Sequence, residues 1–161
     1  IILINNCVDS PKKAKGAVYD LKTALEKTNS NALVIASDNI FDYNINDFIN
    51  TAKTKNSSAV IIKEIKDLNL IKKFSCVKID SKEKIIFFEE KPKDPITNLS
   101  ALACYYLKKE DIELIKKSKI EKNNMGNVIE LLVKLSSVYG IKTTKEWIDI
   151  GNLEELRKAM K

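Results

Sequence analysis

Apolar positions fall in short runs whose spacing changes along the chain, and that change predicts the order of elements. Residues 1–4 form an apolar run and predict a short buried strand. Ala17, Val18, Leu21, Ala24 and Leu25 recur at helical spacing and predict an amphipathic helix over about residues 14–27. Ala32 to Ile35 is a short apolar run bounded by polar residues, as in a buried strand. Asn44 is a candidate N-cap, and Ile45, Phe48, Ile49 and Ala52 give the helical face behind it. Residues 58–65 predict a further strand. Strand–helix–strand–helix–strand argues for parallel strands joined by right-handed crossovers.

Beyond residue 75 the period changes. Residues 76–79 and 84–89, joined by the polar turn Asp80-Ser81-Lys82-Glu83, predict a β-hairpin. Pro92 and Pro95 mark a loop. Residues 99–107 predict a strand, 109–119 and 126–136 two helices, 138–143 a late strand, and Leu153, Leu156 and Met160 a closing helix. The pattern describes one α/β domain with a mixed sheet and an inserted hairpin.

Composition narrows the chemistry. The 161 residues include no histidine, which removes imidazole catalysis and histidine-ligated zinc. Three widely spaced cysteines, Cys7, Cys76 and Cys104, make no disulfide framework and fit a reducing, cytoplasmic compartment. A hydrophobic content of 44% argues against disorder. No apolar run approaches the ~20 residues that a membrane helix needs. The formal charge of +6 comes almost wholly from dispersed lysines, with Arg157 the single arginine. Readers of nucleic acid favour arginine forks, so a solvated lysine-rich surface is expected and nucleic acid is not. Chemistry must then rest on carboxylates, lysines, hydroxyls, backbone groups or a hard metal ion.

Four segments are candidates. Asp38, in Ala36-Ser37-Asp38-Asn39, follows the carboxyl end of a buried strand, where open α/β sheets bind ligands. It can hold Mg²⁺, or it can cap the next turn. In Glu89-Glu90-Lys91-Pro92, strand alternation turns one glutamate toward any cleft. A lysine beside it suits a sugar phosphate; a solvated charged turn is the plainer alternative. In Trp147-Ile148-Asp149-Ile150-Gly151, Asp149 lies in an apolar run and needs a partner, unless it caps a helix beside a core tryptophan. The Asn-rich segment 123–127 reads most simply as an N-cap.

Taken in order, these segments resemble the sugar-1-phosphate nucleotidyltransferases. VIASDNIFDY is similar to the family's V-x-x-G-D-N-x-F. KFSCVKIDSKEKIIFFEEKP is similar to Y-G-V-V-x-x-D…I-x-x-F-x-E-K-P, and LACYYL stands where the family has T-G-x-Y. NNMGNVIELL with VYGI resembles D-x-x-G-x-x-I-x-x-L…V-Y-A/G, and EWIDIGNLEELRKA resembles W-x-D-I-G-x-x-x-x-x-x-x-A. The resemblance implies a Rossmann-like fold with a mixed, mostly parallel sheet, helices on both faces and the inserted hairpin. It implies transfer of a nucleotide from an NTP to a sugar 1-phosphate, with release of pyrophosphate and Mg²⁺ at two aspartates. Carried over, Asp38 and Asp149 would ligate the metal. Asp38, Lys91 and Asp149 would carry the chemistry. Gly16, Asn39, Glu90, Lys91, Ala103 and Tyr106 would bind substrate.

Departures from the pattern are as informative. Ser37, Ser75 and Cys104 replace glycines, and Asn123 replaces an acid. These changes imply a narrower pocket, a different sugar or lost activity. The family's glycine-rich triphosphate loop, G-G-x-G-T-R-L, has no counterpart, because the four glycines here are far apart. The chain therefore reads as lacking the first β–α unit, and alone it is expected to be inactive. The uncovered apolar sheet edge would favour homo-oligomers. The alternative is a degenerate domain that binds a sugar phosphate or a partner without catalysis.

Overall fold

A computed structural model describes residues 3–5, 8–121 and 123–160. Its centre is a four-stranded sheet in the order β1 (Ala32–Ile35), β6 (Leu99–Leu107), β3 (Ser58–Glu64), β7 (Val138–Lys142). β3 is the most buried of these, with its first five residues out of solvent. Its run Ala59-Val60-Ile61-Ile62 suits a strand covered on both faces.

Alternation along β3 and β6 divides the core into two layers. Val60, Ile62, Tyr105 and Leu107 face one side. There they meet α1 (Ala17–Leu25), α4 (Lys109–Lys117) and α5 (Gly126–Leu135) through Val18, Leu21, Ile112, Ile115, Val128 and Leu132. Ala59, Ile61, Leu102, Cys104 and Tyr106 face the other side and meet Phe48 and Ala52 of α2 (Ile45–Thr54). Each such buried large side chain contributes roughly 1.5–3 kcal/mol relative to exposure. Helices on both faces of a mixed sheet are thus observed as expected. Asn44 caps α2, its Oδ1 accepting from Asn46 N at 2.9 Å and Asp47 N at 3.4 Å.

The sheet corrects one detail. β1, β3 and β7 run in one direction, but β1 and β3 are not neighbours. β6 lies between them, antiparallel to both, and β3–β7 is the parallel pair. The cause is the inserted hairpin β4 (Ser75–Ile79) and β5 (Ile85–Glu90), after which the chain returns through the middle of the sheet. Asp80 fixes the hairpin turn, its Oδ1 accepting from Lys82 N at 2.8 Å and Lys84 N at 2.9 Å. Ser75 ties the hairpin to β6, its Oγ accepting from Ala101 N at 3.0 Å.

The strand expected at residues 1–4 is not found where it can be described. Leu3 and Ile4 lie outside any strand and are 92% and 41% exposed, and Ile1 and Ile2 lie outside the described residues. Among the described residues, Leu3 and Ile4 belong to none of the three sheets. Cys7 also lies outside the described residues. Four short elements gave no periodic signal. They are a 3-10 turn at Pro11–Lys13, α3 (Leu68–Ile71), and the three-residue strands β2 (Asn39–Phe41) and β8 (Trp147–Asp149). The closing helix, α6, spans Leu153–Ala159. Among the described residues no helix is long and apolar enough to cross a membrane.

Candidate active site

The short ribbon β2–β8 builds the first half of the site. Its antiparallel register sets Asn39 opposite Asp149 and Phe41 opposite Trp147. Asp38 precedes β2, and its carbonyl accepts from Ile150 N at 2.8 Å, which closes the end of the ribbon. Asp38 and Asp149, 111 positions apart in sequence, therefore come together at the carboxyl end of β1. Nδ2 of Asn39 donates to Asp38 Oδ1 at 2.8 Å and to Asp149 Oδ1 at 3.0 Å.

This pairing is electrostatically costly. Burial raises the Asp149 carboxyl above the usual carboxylate range, and the Asp38 charge raises it further. The hydrogen bond from Asn39 acts against both, and Glu155 adds a smaller upward push. Two carboxylates that repel and share one weak donor are suited to a hard divalent cation, which takes oxygen ligands. Among the described residues no group of three or more His, Cys, Asp or Glu forms a complete metal cage. The rest of an octahedral shell would have to come from water or from substrate oxygens, as is usual for Mg²⁺.

Each aspartate lines a different cavity, and the two cavities share one wall. Asp149, Asn39 and Trp147 line a cavity of about 110 Å³, together with Glu90, Lys73 and Gly126. Asp38, Ser37, Val34 and Leu21 line a wider one of about 480 Å³. Ala103, Tyr105 and Met125 belong to both. Ala103, expected to bind substrate, lines both cavities. Tyr106, expected to do the same, lines neither. Alternation along β6 turns Tyr105 into the cavities and Tyr106 to the opposite layer, where its hydroxyl accepts from Asn31 Nδ2 at 2.7 Å. Position in the motif pointed to Tyr106; the two-residue period from Ala103 points to Tyr105.

Glu90 forms the second half, and Lys91 follows it in sequence but lines neither cavity. Glu90 turns inward on β5 and Glu89 outward, as alternation requires. The Glu90 carboxylate lies against the first residue of α5, so close that a Cβ on Gly126 would be 1.9 Å from Oε2. Burial pushes Glu90 up to about 7 from an ordinary value of 4.5. Lys91 opposes the rise and Glu130 adds to it. Lys91 adopts φ 51°, a left-handed conformation costing about 1–3 kcal/mol that clusters at functional sites. It is held there by its N–H donating to Phe74 O at 2.6 Å, and its Nζ donates to Asn124 Oδ1 at 2.8 Å.

The Asn-rich segment is a wall of the site and supplies no side-chain cap. Met125 is the N-cap of α5 and makes no side-chain bond, while Asn127 Oδ1 accepts from Asn124 N at 3.1 Å. Gly16 starts α1 at φ 95° and packs on this wall; a Cβ there would lie 2.7 Å from Cβ of Asn123. Gly16 lines neither of the two cavities, although its neighbour Ala17 lines the wider one. Sequence reasoning missed Lys73, Tyr105 and the bond from Trp147 to Asn39, and it read Met125 and Gly126 only as part of an N-cap segment. Alternation could have found Tyr105. The others depend on contacts between distant segments.

The arrangement defines a class. It is an α/β protein with a carboxylate pair at one end of its sheet, set between two cavities, with a glutamate and a lysine beside the smaller. The profile of the nucleotidyl transferase family matches residues 6–161, and the chain belongs to that family. It is 32% identical over 142 residues to the bifunctional protein GlmU of Methanocaldococcus jannaschii, covering 86% of this chain and 33% of the relative. It is 28% identical over 155 residues to the glucose-1-phosphate adenylyltransferase of Clostridium acetobutylicum, covering 92% of this chain and 41% of the relative. The fold matches a UDP-glucose pyrophosphorylase complexed with UDP-glucose at TM-score 0.79 and 21% identity, over 90% of this chain and 60% of the other. The chain thus spans well under half the length of these curated relatives.

Proposed function

We propose that this chain carries the sugar-phosphate and metal-binding part of a nucleotidyl transfer from an NTP to a sugar 1-phosphate. The observation that carries the reading is the meeting at one amide of Asp38 and Asp149, each of which lines one of two cavities with a common wall. Such a site brings two phosphorylated substrates to one charge centre. The sugar lies in the smaller cavity beside Glu90, and the nucleotide phosphates enter from the wider one.

In the reaction, a phosphate oxygen of the sugar 1-phosphate attacks the α-phosphorus of the NTP in line. The bond from that phosphorus to the α–β bridging oxygen breaks, and pyrophosphate leaves with the electron pair. No protein nucleophile is needed, in keeping with a chain without histidine. Glu90 accepts from sugar hydroxyls and Lys91 neutralises the attacking phosphate. Tyr105 and Ala103 bound the pocket and align the acceptor. Asp38 and Asp149 would hold Mg²⁺, which supplies charge neutralisation for the phosphates. The reaction belongs in a reducing, cytoplasmic setting, which suits the free thiols of Cys76 and Cys104. Leu33 and Ile35 on the edge strand β1, 36% and 39% exposed, suit association between copies rather than with nucleic acid.

These 161 residues contain no glycine-rich run to cradle a triphosphate, so this chain on its own is expected to bind acceptor but not to turn over. The same feature favours the second reading, a sugar-phosphate-binding domain without catalysis. The test is calorimetric titration of the chain with glucose 1-phosphate, glucose 6-phosphate and inorganic phosphate in the presence of Mg²⁺. Pyrophosphate release from each common NTP is assayed in parallel. Preference for the 1-phosphate without turnover is expected. Equal affinity for all three would contradict the reading, and rapid turnover would contradict the account of the triphosphate.

A further inference from the structure

Asn39 makes three side-chain bonds at once, and their chemistry fixes which way its amide points. The indole Nε1 of Trp147 can only donate, and it lies 2.6 Å from Asn39 Oδ1. The amide oxygen must therefore face the indole. Its two N–H bonds must then face Asp38 Oδ1, at 2.8 Å, and Asp149 Oδ1, at 3.0 Å. Trp147 is itself held by the β2–β8 register and by an edge-on contact with Phe74, with ring centroids 5.0 Å apart and an interplanar angle of 70°. A neutral donor thus stands between two like charges, and an aromatic ring packed into the cavity wall sets its orientation. With both donors committed, the Asn39 amide has none left for a sugar hydroxyl.

We infer that Asn39 is a positioning residue, locked by Trp147, that holds Asp38 and Asp149 together for a divalent cation. The inference rests on the reading of the two aspartates as a cation pair. It adds a coupling that reading does not contain. A cation that draws the two carboxylates toward itself would pull on the Asn39 amide bonded to both. Because the amide is planar, its Oδ1 moves with its Nδ2, and the bond to Trp147 changes. Trp147 is the sole tryptophan in the chain, so its fluorescence reports the event.

The test measures binding of Mn²⁺ alone to the 161-residue chain by electron paramagnetic resonance, and Trp147 fluorescence during titration with Mg²⁺ alone. Wild type is expected to bind, and Asp149→Asn to lose binding. Asn39→Ala is expected to weaken Mn²⁺ by about tenfold or more, within the range for residues that orient metal ligands, with an unchanged circular dichroism spectrum. Trp147→Phe keeps an aromatic ring in the wall but removes the indole N–H that orients Asn39, so it carries the test should Asn39→Ala fail to fold; a smaller weakening than that of Asn39→Ala is expected. In wild type Mg²⁺ should shift the Trp147 emission, and in Asn39→Ala that shift should vanish even at saturation. A merely structural asparagine would not give that loss. Unchanged or tighter Mn²⁺ binding in Asn39→Ala, with Asp149→Asn still defective, would overturn the inference and leave the cation pair standing. Equal binding by wild type and Asp149→Asn would overturn the pair, and the inference with it.

Discussion

Gly126 leaves no room for a side chain because Glu90 occupies the space, its Oε2 only 1.9 Å from where a Cβ would stand and its Cδ only 2.6 Å. The obstructing group is the end of a flexible side chain, so an added methyl displaces the carboxylate rather than the backbone. Gly126 opens α5, where alanine is otherwise the better helix former by about 1 kcal/mol. Gly126→Ala is therefore expected to change stability by no more than ~1 kcal/mol while weakening glucose 1-phosphate about as much as Glu90→Ala does. In the Glu90→Ala background the same change should have no effect on binding. Calorimetry on the four proteins of this cycle checks it, and additive losses would show that the two residues act separately.

Glu90 also predicts a pH dependence of stability. Its folded-state value of about 7 lies above the ordinary 4.5, so the folded protein holds this proton more tightly than the unfolded chain does. The stability it contributes is complete below pH 4.5 and is lost as pH rises through 7. Glu90→Gln removes the titration. The melting temperature of wild type minus that of Glu90→Gln should thus fall between pH 5 and pH 8. A constant difference would contradict the buried, proton-holding carboxyl.

Lys91 and Lys93 separate a specific contact from general charge. Both are exposed, but Lys91 is held in the left-handed region with its ammonium beside the Asn124 wall of the site. A charged hydrogen bond is worth ~1.5–3 kcal/mol, so Lys91→Ala should weaken glucose 1-phosphate binding by roughly 10- to 150-fold. Lys93→Ala should have little effect. Equal losses from both would mean that only net charge matters.

Tyr106 and Tyr105 differ by one residue and by a whole layer of the fold. Tyr106→Phe removes the bond to Asn31 and should cost about 1 kcal/mol of stability with no change in sugar-phosphate affinity. Denaturant unfolding and calorimetry read the two effects. A loss of affinity would return Tyr106 to the pocket and contradict the alternation along β6.

Much of this fold was legible because local signals agreed with one another. The hairpin declared itself by alternation and by Asp80, whose carboxylate does bind the turn. Asn44 announced α2 and caps it. Asp38 and Asp149 stood out as carboxylates beside apolar runs, and the structure brings them together. What stayed hidden is non-local or very short. β2 and β8 have three residues each, too few to display a period, yet their pairing assembles the aspartates. The antiparallel passage of β6 between β1 and β3 depends on where the hairpin returns the chain. Gly126 looked like part of an N-cap, and only the fold reveals that it leaves space for a carboxylate 36 positions earlier.

In the proposed function Asp38 and Asp149 serve a sugar phosphate through a shared Mg²⁺, with Glu90 and Lys91 as its other contacts. The most direct measurement is the affinity of the wild-type chain for glucose 1-phosphate by calorimetry, with Mg²⁺ and with chelator, repeated on Asp38→Asn and Asp149→Asn. Wild type should bind at least about tenfold more tightly with Mg²⁺, since a divalent ion between carboxylates and phosphate joins two groups that otherwise repel. Either asparagine variant should abolish that gain while retaining the weaker metal-free binding through Lys91. Affinity that is the same with Mg²⁺ and with chelator, or a full Mg²⁺ gain in both variants, would contradict the account.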